Sequence, residues 1–216
     1  MIYNKDCIEF MREREREREW TDLLITDIPY DEVNRESNGL RKLDKGKADE
    51  LAFDLPTFLD LCYKSTKSTI IIFCGIHQVS EIFNYFDMLA KKKKGTVRQL
   101  IYQKSNPSPM NGDYIYLSGL ENAVWFKKKG GTFNAHCKSN VFKYPCGRSK
   151  VHPTEKNHDL LKELILDNSN EGDKVFDPCC GSGSHLLVAK ELGRKTCGCE
   201  LNTEWYEIAK KRLEED

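Results

Sequence analysis

Short apolar runs alternate with amphipathic stretches along the whole chain, and this pattern predicts strands that alternate with helices. Apolar and β-branched runs are typical of strands, whereas apolar positions three and four residues apart are typical of helices. The predicted strands cover residues 1–4, 22–26, 69–74, 97–103, 122–126, 174–177 and 195–200. The predicted helices cover residues 7–20, 53–65, 79–90, 160–168, 183–192 and 203–213. This order predicts an α/β fold with a mostly parallel sheet, in one domain spanning residues 1–216.

Two polar segments interrupt the alternation. Residues 31–52 carry Asn, Ser and Gly with little periodicity, and residues 130–149 are irregular, with glycines and Pro145. Long loops inside compact domains tend to be functional or mobile. We therefore expect these segments to act in recognition rather than in building the core.

Composition is ordinary for a soluble globular protein, with 39% hydrophobic and 31% charged residues among 216. No apolar run approaches the roughly 20 residues of a membrane span. The first residues do not have the shape of a signal peptide, so we expect a cytoplasmic protein without membrane contact. The nine cysteines form no pair of Cys-x-x-Cys knuckles, so we expect reduced thiols and no metal site.

Charge is balanced overall but clustered locally. The formal net charge is zero, so there is no global signature of nucleic-acid binding. Lysine runs at 91–94 and 127–129 either meet phosphates or form a solvated surface. The Arg–Glu alternation over residues 12–19 predicts an exposed helix face.

The tip of the second predicted strand carries the run Asp27-Ile28-Pro29-Tyr30. It places a carboxylate, a proline-fixed turn and an aromatic ring together, which suits the binding of a planar base with an exocyclic amine. In isolation, Asp27 is also typical of a strand-end turn, and Tyr30 of a half-buried aromatic residue.

A second cluster follows the strand at 174–177. The loop containing Gly181, Ser182 and Gly183 lets the backbone approach a ligand at the start of the next helix. About 20 residues later the next strand ends in Glu200, which suits binding of ribose hydroxyls. The loop alone is a weak signal, because it is not a full dinucleotide fingerprint, and the alternative is a tight strand-to-helix turn.

A third motif lies between these two, at residues 151–157. His152, Thr154 and Lys156 in one tight turn could surround an amino-acid carboxylate. The alternative is a helix start, with Thr154 as the cap and Glu155 favouring the helix dipole.

In this order the motifs resemble those of the beta-group amino DNA methyltransferases. That family has Asp/Ser-Pro-Pro-Tyr, then His-Pro-Thr-Glu-Lys-Pro, then Asp-Pro-Phe-x-Gly-Ser-Gly-Thr and an acidic residue one strand later. The matching segments here are residues 27–30, 152–157 and 177–184, followed by Glu200, and residues 4–7 resemble the family's Gly-Asp-Cys turn. Ile28, Cys179 and Asn157 depart from the family pattern.

The resemblance implies a Rossmann-like, S-adenosylmethionine-dependent methyltransferase fold with a circularly permuted motif order. It implies a mostly parallel seven-stranded sheet with helices on both faces. It further implies that S-adenosylmethionine is the cofactor, S-adenosylhomocysteine its product, and that no metal is needed. The implied cofactor-binding residues are Asp6, Cys7, Asp27, His152, Thr154, Lys156, Asp177, Cys179, Gly181, Ser182, Gly183, Ser184, Glu200 and Leu201.

The implied activity is site-specific methylation of adenine N6 in double-stranded DNA, with base flipping. Asp27 and a carbonyl near Ile28 or Pro29 would accept the two amine hydrogens, and Tyr30 would stack on the base. The alternatives are an N4-cytosine DNA methyltransferase and an inactive, cofactor-binding DNA-binding subunit.

Target contact is expected from loops at about 31–52 and 105–149, with Arg35, Asn38, Arg41, Asn106, Asn111, Asn134 and Arg148 as candidates. Family members often pair through sheet-edge or helical surfaces, so a homodimer is one alternative. A role in restriction–modification, in a bacterial or phage-infected cell, fits the same resemblance.

Overall fold

The computed structural model describes residues 1–30, 53–109, 112–146 and 155–214, and in them strands and helices alternate as predicted. The amino-terminal elements are β1 (Ile2–Asn4), α1 (Cys7–Arg16), β2 (Thr21–Asp27), α2 (Leu55–Ser65), β3 (Thr66–Cys74) and α3 (Val79–Lys91). Three strands follow, β4 (Gly95–Lys104), β5 (Leu120–Lys128) and β6 (Val141–Tyr144). The carboxyl-terminal elements are α4 (His158–Asn168), β7 (Lys174–Asp177), α5 (Ser184–Glu191), β8 (Lys195–Glu200) and α6 (Thr203–Glu214).

One sheet runs through the molecule in the order β1-β8-β7-β2-β3-β5-β4-β6. Every neighbouring pair is parallel except those that involve β5, which is antiparallel to β3 and to β4. The sheet therefore has eight strands in the described part of the chain, one more than the seven expected. The additional strand, β6, has only four residues and pairs with the outer edge of β4 from Ile101↔Val141 to Lys104↔Tyr144.

The central strands are buried on both faces, which explains their unbroken apolar runs. In β2, Leu24 packs into one core, whereas Leu23 and Ile25 pack into the other. Helices α1, α2 and α3 cover the first face through Phe10, Phe58 and Phe86 among others. Helices α4 and α5 cover the second face, so the expectation of helices on both faces is confirmed.

The helix ends follow local capping chemistry. Asp6 caps α1 by accepting from the backbone N–H groups of Ile8 (2.9 Å) and Glu9 (3.0 Å). The helix ends at Arg16 rather than at residue 20, because Arg18 adopts a left-handed conformation with φ of 57°. Asn157 caps α4 by accepting from the N–H of Leu160 at 3.0 Å.

The segments predicted as loops differ in outcome. Residues 31–52 lie outside the described part. Within 105–149, β5 covers the predicted strand at 122–126, and β6 lies in the segment predicted as irregular. None of the helices in the described ranges is both long enough and apolar enough to cross a membrane.

Candidate active site at the carboxyl edge of the sheet

Three acidic side chains meet at one edge of the sheet because their strands are parallel. Asp27, Asp177 and Glu200 are the last residues of β2, β7 and β8. The register pairs Asp27 with Phe73 of β3, and Asp177 with Gly198 of β8. Ligands of open α/β sheets bind at this carboxyl edge. The topology therefore brings the first motif beside the glycine loop, although about 150 residues separate them in sequence.

The buried ammonium group of Lys156 occupies the centre of this edge. Its Nζ lies 2.5 Å from Oδ2 of Asp27, 3.1 Å from the hydroxyl of Tyr30 and 2.9 Å from Oε2 of Glu121. The side chain is only 6% exposed. Lys156 therefore points at Asp27 and Tyr30, with Glu121 as a second counter-ion.

Charge pairing offsets the cost of burying this ammonium group. Burial lowers the pKa of Lys156, but Asp27, Tyr30 and Glu121 outweigh it and hold that pKa well above the ordinary value. Burial, followed by the nearby Asp27, raises the pKa of Tyr30 well above its usual range. Lys156 is thus a permanent cation and Tyr30 a neutral phenol at physiological pH.

Asp27 has one committed oxygen and one that lacks a partner. Oδ2 accepts from Lys156, whereas Oδ1 is buried and has no hydrogen-bond partner in the described residues. An unpaired buried acceptor is costly. It marks the place where a donor from a ligand would be stabilised.

The Ile28–Pro29 turn is held by a side chain that sequence reasoning missed. Ile28 donates its backbone N–H to the carbonyl of Phe73 at 3.2 Å, and its side chain lies in the core. Gln78 donates its amide to the carbonyl of Pro29 at 2.9 Å and accepts from the N–H of Gly75 at 2.8 Å. The spacing Gly-x-x-Gln directly after a buried strand was the available signal for this clamp.

Asp177 organises the glycine loop from within. It is fully buried, and its Oδ1 accepts from the N–H of Cys179 at 3.1 Å. Its Oδ2 lies 2.6 Å from Nδ1 of His185, whose ring stacks on Phe73. Both oxygens are therefore engaged within the protein, and Asp177 shapes the loop from its buried position.

Glycine supplies the backbone conformations of this loop. Gly181 and Gly183 have φ of +49° and +80°, in the left-handed region. A Cβ placed on Gly181 would meet nothing within 4 Å, so open space lies beside the loop at that point. A Cβ on Gly183 would lie 3.1 Å from Cβ of Ala209 in α6. Gly183 therefore permits close packing of α6, whereas Gly181 borders the open side.

Glu200 links the loop to the end of β8. Its Oε2 accepts from the N–H of Gly181 at 2.8 Å, and its Oε1 accepts from the N–H of Asn202 at 2.8 Å. Burial raises its pKa above the ordinary value. Leu201 is 60% exposed beside it, and Asn4 donates to the carbonyls of Glu200 and Leu201.

Within residues 4–7, Asp6 and Cys7 make contacts that stabilise the fold near the glycine loop. The Oδ1 atom of Asp6 serves as the α1 cap, and Cys7 is buried. The thiol of Cys7, together with burial, raises the pKa of Cys179 well above its usual range. Cys7 and Cys179 thus meet beneath the glycine loop, where the family has a phenylalanine in place of Cys179.

A second clamp, also unforeseen, joins the third motif to the glycine loop. Oε1 of Glu155 accepts from the hydroxyl of Ser184 at 2.6 Å and from Nη2 of Arg212 at 2.8 Å. Arg212 also donates to the carbonyl of Ser182 at 2.9 Å. The last turn of α6 therefore fixes the loop, a role that no local sequence signal indicated. His152 and Thr154 lie outside the described residues.

Metal ligands do not cluster in this region. Across ranges 1–30, 53–109, 112–146 and 155–214, no group of three His, Cys, Asp or Glu side chains is arranged to hold a metal ion. The nine cysteines are all free thiols.

Comparison with known proteins gives consistent matches. A family model described as DNA methylase, N6_N4_Mtase, matches residues 21–211. The Type II methyltransferase M.HpaI of Haemophilus parainfluenzae is 29% identical over 90% of this chain and 68% of its own length. The DNA adenine methyltransferase YhdJ of Escherichia coli K12 is 34% identical over 61% of this chain and 40% of its own.

Solved structures share the whole architecture. The crystal structure of the M1.HpyAVI–SAM complex superposes with a TM-score of 0.76 at 28% sequence identity. The match covers 99% of this chain and 98% of that one. The predicted Rossmann-like methyltransferase fold is therefore confirmed, including the permuted order that places the glycine-loop strand after the Asp27 strand.

Proposed function

This chain belongs to the N6/N4 DNA methylase family, whose model matches residues 21–211, and on that premise we propose that it moves a methyl group from S-adenosylmethionine to the N6 amine of adenine in duplex DNA. The observation that carries the proposal is the state of Asp27. One oxygen is fixed by Lys156, and the other is buried without a partner among the residues that the structure describes. A ligand N–H would satisfy it.

The glycine loop and Glu200 fit S-adenosylmethionine as the second ligand. The space beside Gly181 admits a ligand close to the backbone, and Glu200 at the end of β8 suits ribose hydroxyls. When bound, S-adenosylmethionine supplies an electrophilic methyl group. The implied contacts also include Asp6, Cys7, His152, Thr154, Ser182, Ser184 and Leu201. Asp177 and Cys179 would act by shaping the loop.

Asp27 would bind and orient the target amine. An exocyclic amine is a weak nucleophile because its lone pair is delocalised into the ring. Oδ1 of Asp27 would accept one amine hydrogen and the Ile28 carbonyl the other, since Gln78 already donates to the carbonyl of Pro29. These bonds favour a tetrahedral nitrogen. Asp27 need not be a strong base, because the amine becomes acidic once methylated.

Tyr30 would hold the face of the base. Lys156 fixes the Tyr30 hydroxyl at 3.1 Å, which restrains its ring at the same edge as Asp27. Since Oδ1 of Asp27 is buried, a base stacked in a duplex could not reach it. The reaction therefore requires the target nucleotide to be flipped out.

The β4–β5 connection supports contact with DNA. Because β5 is antiparallel to both β3 and β4, β4 runs in the same direction as β3 and β2, and its end at Lys104 lies at the same sheet edge as Asp27. The connection exposes Tyr114, Ile115 and Tyr116, which are 88%, 63% and 101% exposed. Exposed aromatic and apolar side chains can stack on or wedge between bases. We include this segment, with residues 31–52, in the DNA-contacting surface of a single domain.

Adenine is the favoured target for two reasons. The motif begins with Asp27, where cytosine-directed relatives often have serine. In addition, one matched relative, YhdJ, bears the name DNA adenine methyltransferase. The second candidate is N4-cytosine methylation, which would use the same groups on a different base.

The test is methyl transfer from labelled S-adenosylmethionine to mixed-sequence duplex DNA, followed by nucleoside analysis. N6-methyladenine is the expected product. N4-methylcytosine would keep the mechanism and change the base. Binding of S-adenosylmethionine without incorporation would instead favour an inactive subunit, and would direct attention to Ile28 and Cys179.

A further inference from the structure

Glu121, at the start of β5, is the second carboxylate on the buried ammonium group of Lys156. Its Oε2 lies 2.9 Å from Nζ, on β5 rather than on the strand that carries Asp27. We propose that Glu121 is a positioning residue, which holds Lys156 so that one oxygen of Asp27 is pinned and the other stays available to the target amine. This inference rests on the proposed function.

Glu121 is itself fixed on its other side. Its Oε1 lies 2.7 Å from Nζ of Lys104, at the end of β4. The register pairs Glu121 with Tyr102 on that strand, so the backbone ladder sets its location. The result is a chain of alternating charge from Lys104 through Glu121 and Lys156 to Asp27.

The protonation state suits this role. Burial raises the pKa of Glu121, but Lys156 and Lys104 outweigh it, and the net pKa is lowered. Glu121 therefore remains an anion at physiological pH, and Lys156 remains a cation. A charge-assisted contact between them is stronger than a neutral hydrogen bond.

The surroundings of the Lys156 ammonium group explain why the charge of Glu121 matters. An ammonium group has three N–H bonds. Lys156 donates to Oδ2 of Asp27 and to the hydroxyl of Tyr30, whereas Oε2 of Glu121 lies 2.9 Å from Nζ as an ion-pair partner without a hydrogen bond. Without the Glu121 charge, the ammonium group would be drawn towards Asp27 and could bridge both of its oxygens. It would then compete with the amine for Oδ1.

The direct test is nuclear magnetic resonance of protein labelled with ¹⁵N at lysine Nζ. The Lys156 signal is assigned by its loss in Lys156→Met. Glu121→Gln keeps the shape of the side chain and removes its charge. The matched control is Glu163→Gln, because Glu163 on α4 also pairs with a lysine, Lys138 at 2.7 Å, and accepts from Tyr144 rather than from Lys156. We expect Glu121→Gln to move or broaden the Lys156 signal and Glu163→Gln to leave it unchanged.

Steady-state kinetics test the effect of Glu121 on catalysis. We expect Glu121→Gln to lower kcat roughly 10- to 100-fold, the scale of a misplaced reacting group. The Kd for S-adenosylmethionine should stay within about twofold, because the glycine loop is untouched. Glu163→Gln should retain wild-type kcat, and thermal unfolding of both variants checks that they are folded.

The outcomes separate this inference from the proposed function. An unchanged Lys156 signal in Glu121→Gln overturns the inference, whatever the activity. Equal losses of kcat in Glu121→Gln and Glu163→Gln also overturn it, since they indicate a general effect on stability. If the wild-type protein methylates no DNA, the proposed function fails, while the Lys156 signal still decides whether Glu121 holds that ammonium group.

Discussion

Asp27 derives its proposed chemistry from the different surroundings of its two oxygens. Lys156 fixes one, and the other is buried with no hydrogen-bond partner in the described part of the chain. A strand-end aspartate in water would have neither property. The contrast explains why a residue that is ordinary in sequence becomes the centre of the site.

Replacing Asp27 should separate chemistry from cofactor binding. We expect Asp27→Ala to abolish methyl transfer, because the amine loses its acceptor and Lys156 loses its closest counter-ion. The glycine loop and Glu200 are independent of it, so binding of S-adenosylmethionine, measured by calorimetry, should persist. The control is Asp22→Ala on the same strand, whose side chain accepts from the N–H of Lys174. Near-normal turnover in Asp27→Ala would show that the catalytic turn is wrongly assigned.

The sequence located most of the individual residues but not their partners. Asp27, Tyr30 and Glu200 lie at the edge where parallel strands were expected to end. For Lys156, by contrast, the motif suggests either an amino-acid carboxylate as its partner or a helix start, and neither predicts the contact with Asp27. Arg212 has no local signal, and the Gly-x-x-Gln spacing at Gln78 does not show that its partner is Pro29. Their roles depend on contacts between distant segments, which residue spacing cannot supply.

His158 makes stability depend on pH. The contact with Glu155 at 2.9 Å raises the pKa of His158 above 6.5, against a lowering by burial and by Arg212. A raised pKa stabilises the folded state fully below the unfolded pKa, and the contribution is lost as pH rises through the folded pKa. The stability difference between wild type and His158→Ala, measured by urea unfolding, should therefore shrink as pH rises above about 6.5. A difference that grew with pH would contradict this assignment.

At the scale of elements, periodicity located the core strands well. It located the strand at the sheet edge and the end of α1 less well. β2 and β3 have long apolar runs because both of their faces are buried. β6 was missed, since its burial is confined to Phe142 and its four residues offer almost no pattern. α1 was predicted four residues too long, and its Arg14 was expected on an exposed face. It is buried against Glu19, Cys197 and two aromatic rings.

The glycine loop depends on how closely α6 packs against it. A side chain at Gly183 would press on Ala209, 3.1 Å from its Cβ, whereas one at Gly172 would meet nothing within 4 Å. Both glycines have nearly the same φ, +80° and +82°, so the backbone strain is matched. We expect Gly183→Arg to abolish both cofactor binding and methyl transfer, by displacing α6 and with it the Arg212 clamp.

Gly172→Arg is the control for that experiment. Backbone strain alone should lower its free energy of unfolding, on the order of 1 kcal/mol. For a chain of this size that corresponds to a decrease in Tm of about 2–4 °C. Calorimetric binding and the Tm of both variants are the measurements. If Gly183→Arg still bound the cofactor, the close packing of α6 would not be required for the cofactor site.

At the scale of the whole molecule, the two lysine runs lie at the edge of the sheet opposite to the edge that carries Asp27. The lysine runs at 91–94 and 127–129 meet at the far edge, where the N–H of Lys129 donates to the carbonyl of Lys94 at 3.0 Å. There the register pairs Gly95 with Lys128. The ten residues of β4 place this edge about 30 Å from the end that carries Lys104. A surface facing away from Asp27 is badly placed to contact the phosphates beside a flipped base.

This geometry predicts which lysines contribute to DNA binding. Lys143 of β6 is exposed at the edge that carries Asp27, since it pairs with Gln103 near the end of β4. Charge reversal there, Lys143→Glu, should weaken DNA binding and reduce the slope of log K against log salt by about one phosphate contact. Lys92→Glu, an equal change at the far edge, should leave both the affinity and the slope unchanged. Fluorescence anisotropy over a salt series would measure both, and a larger effect of Lys92→Glu would place the duplex on the other edge of the sheet.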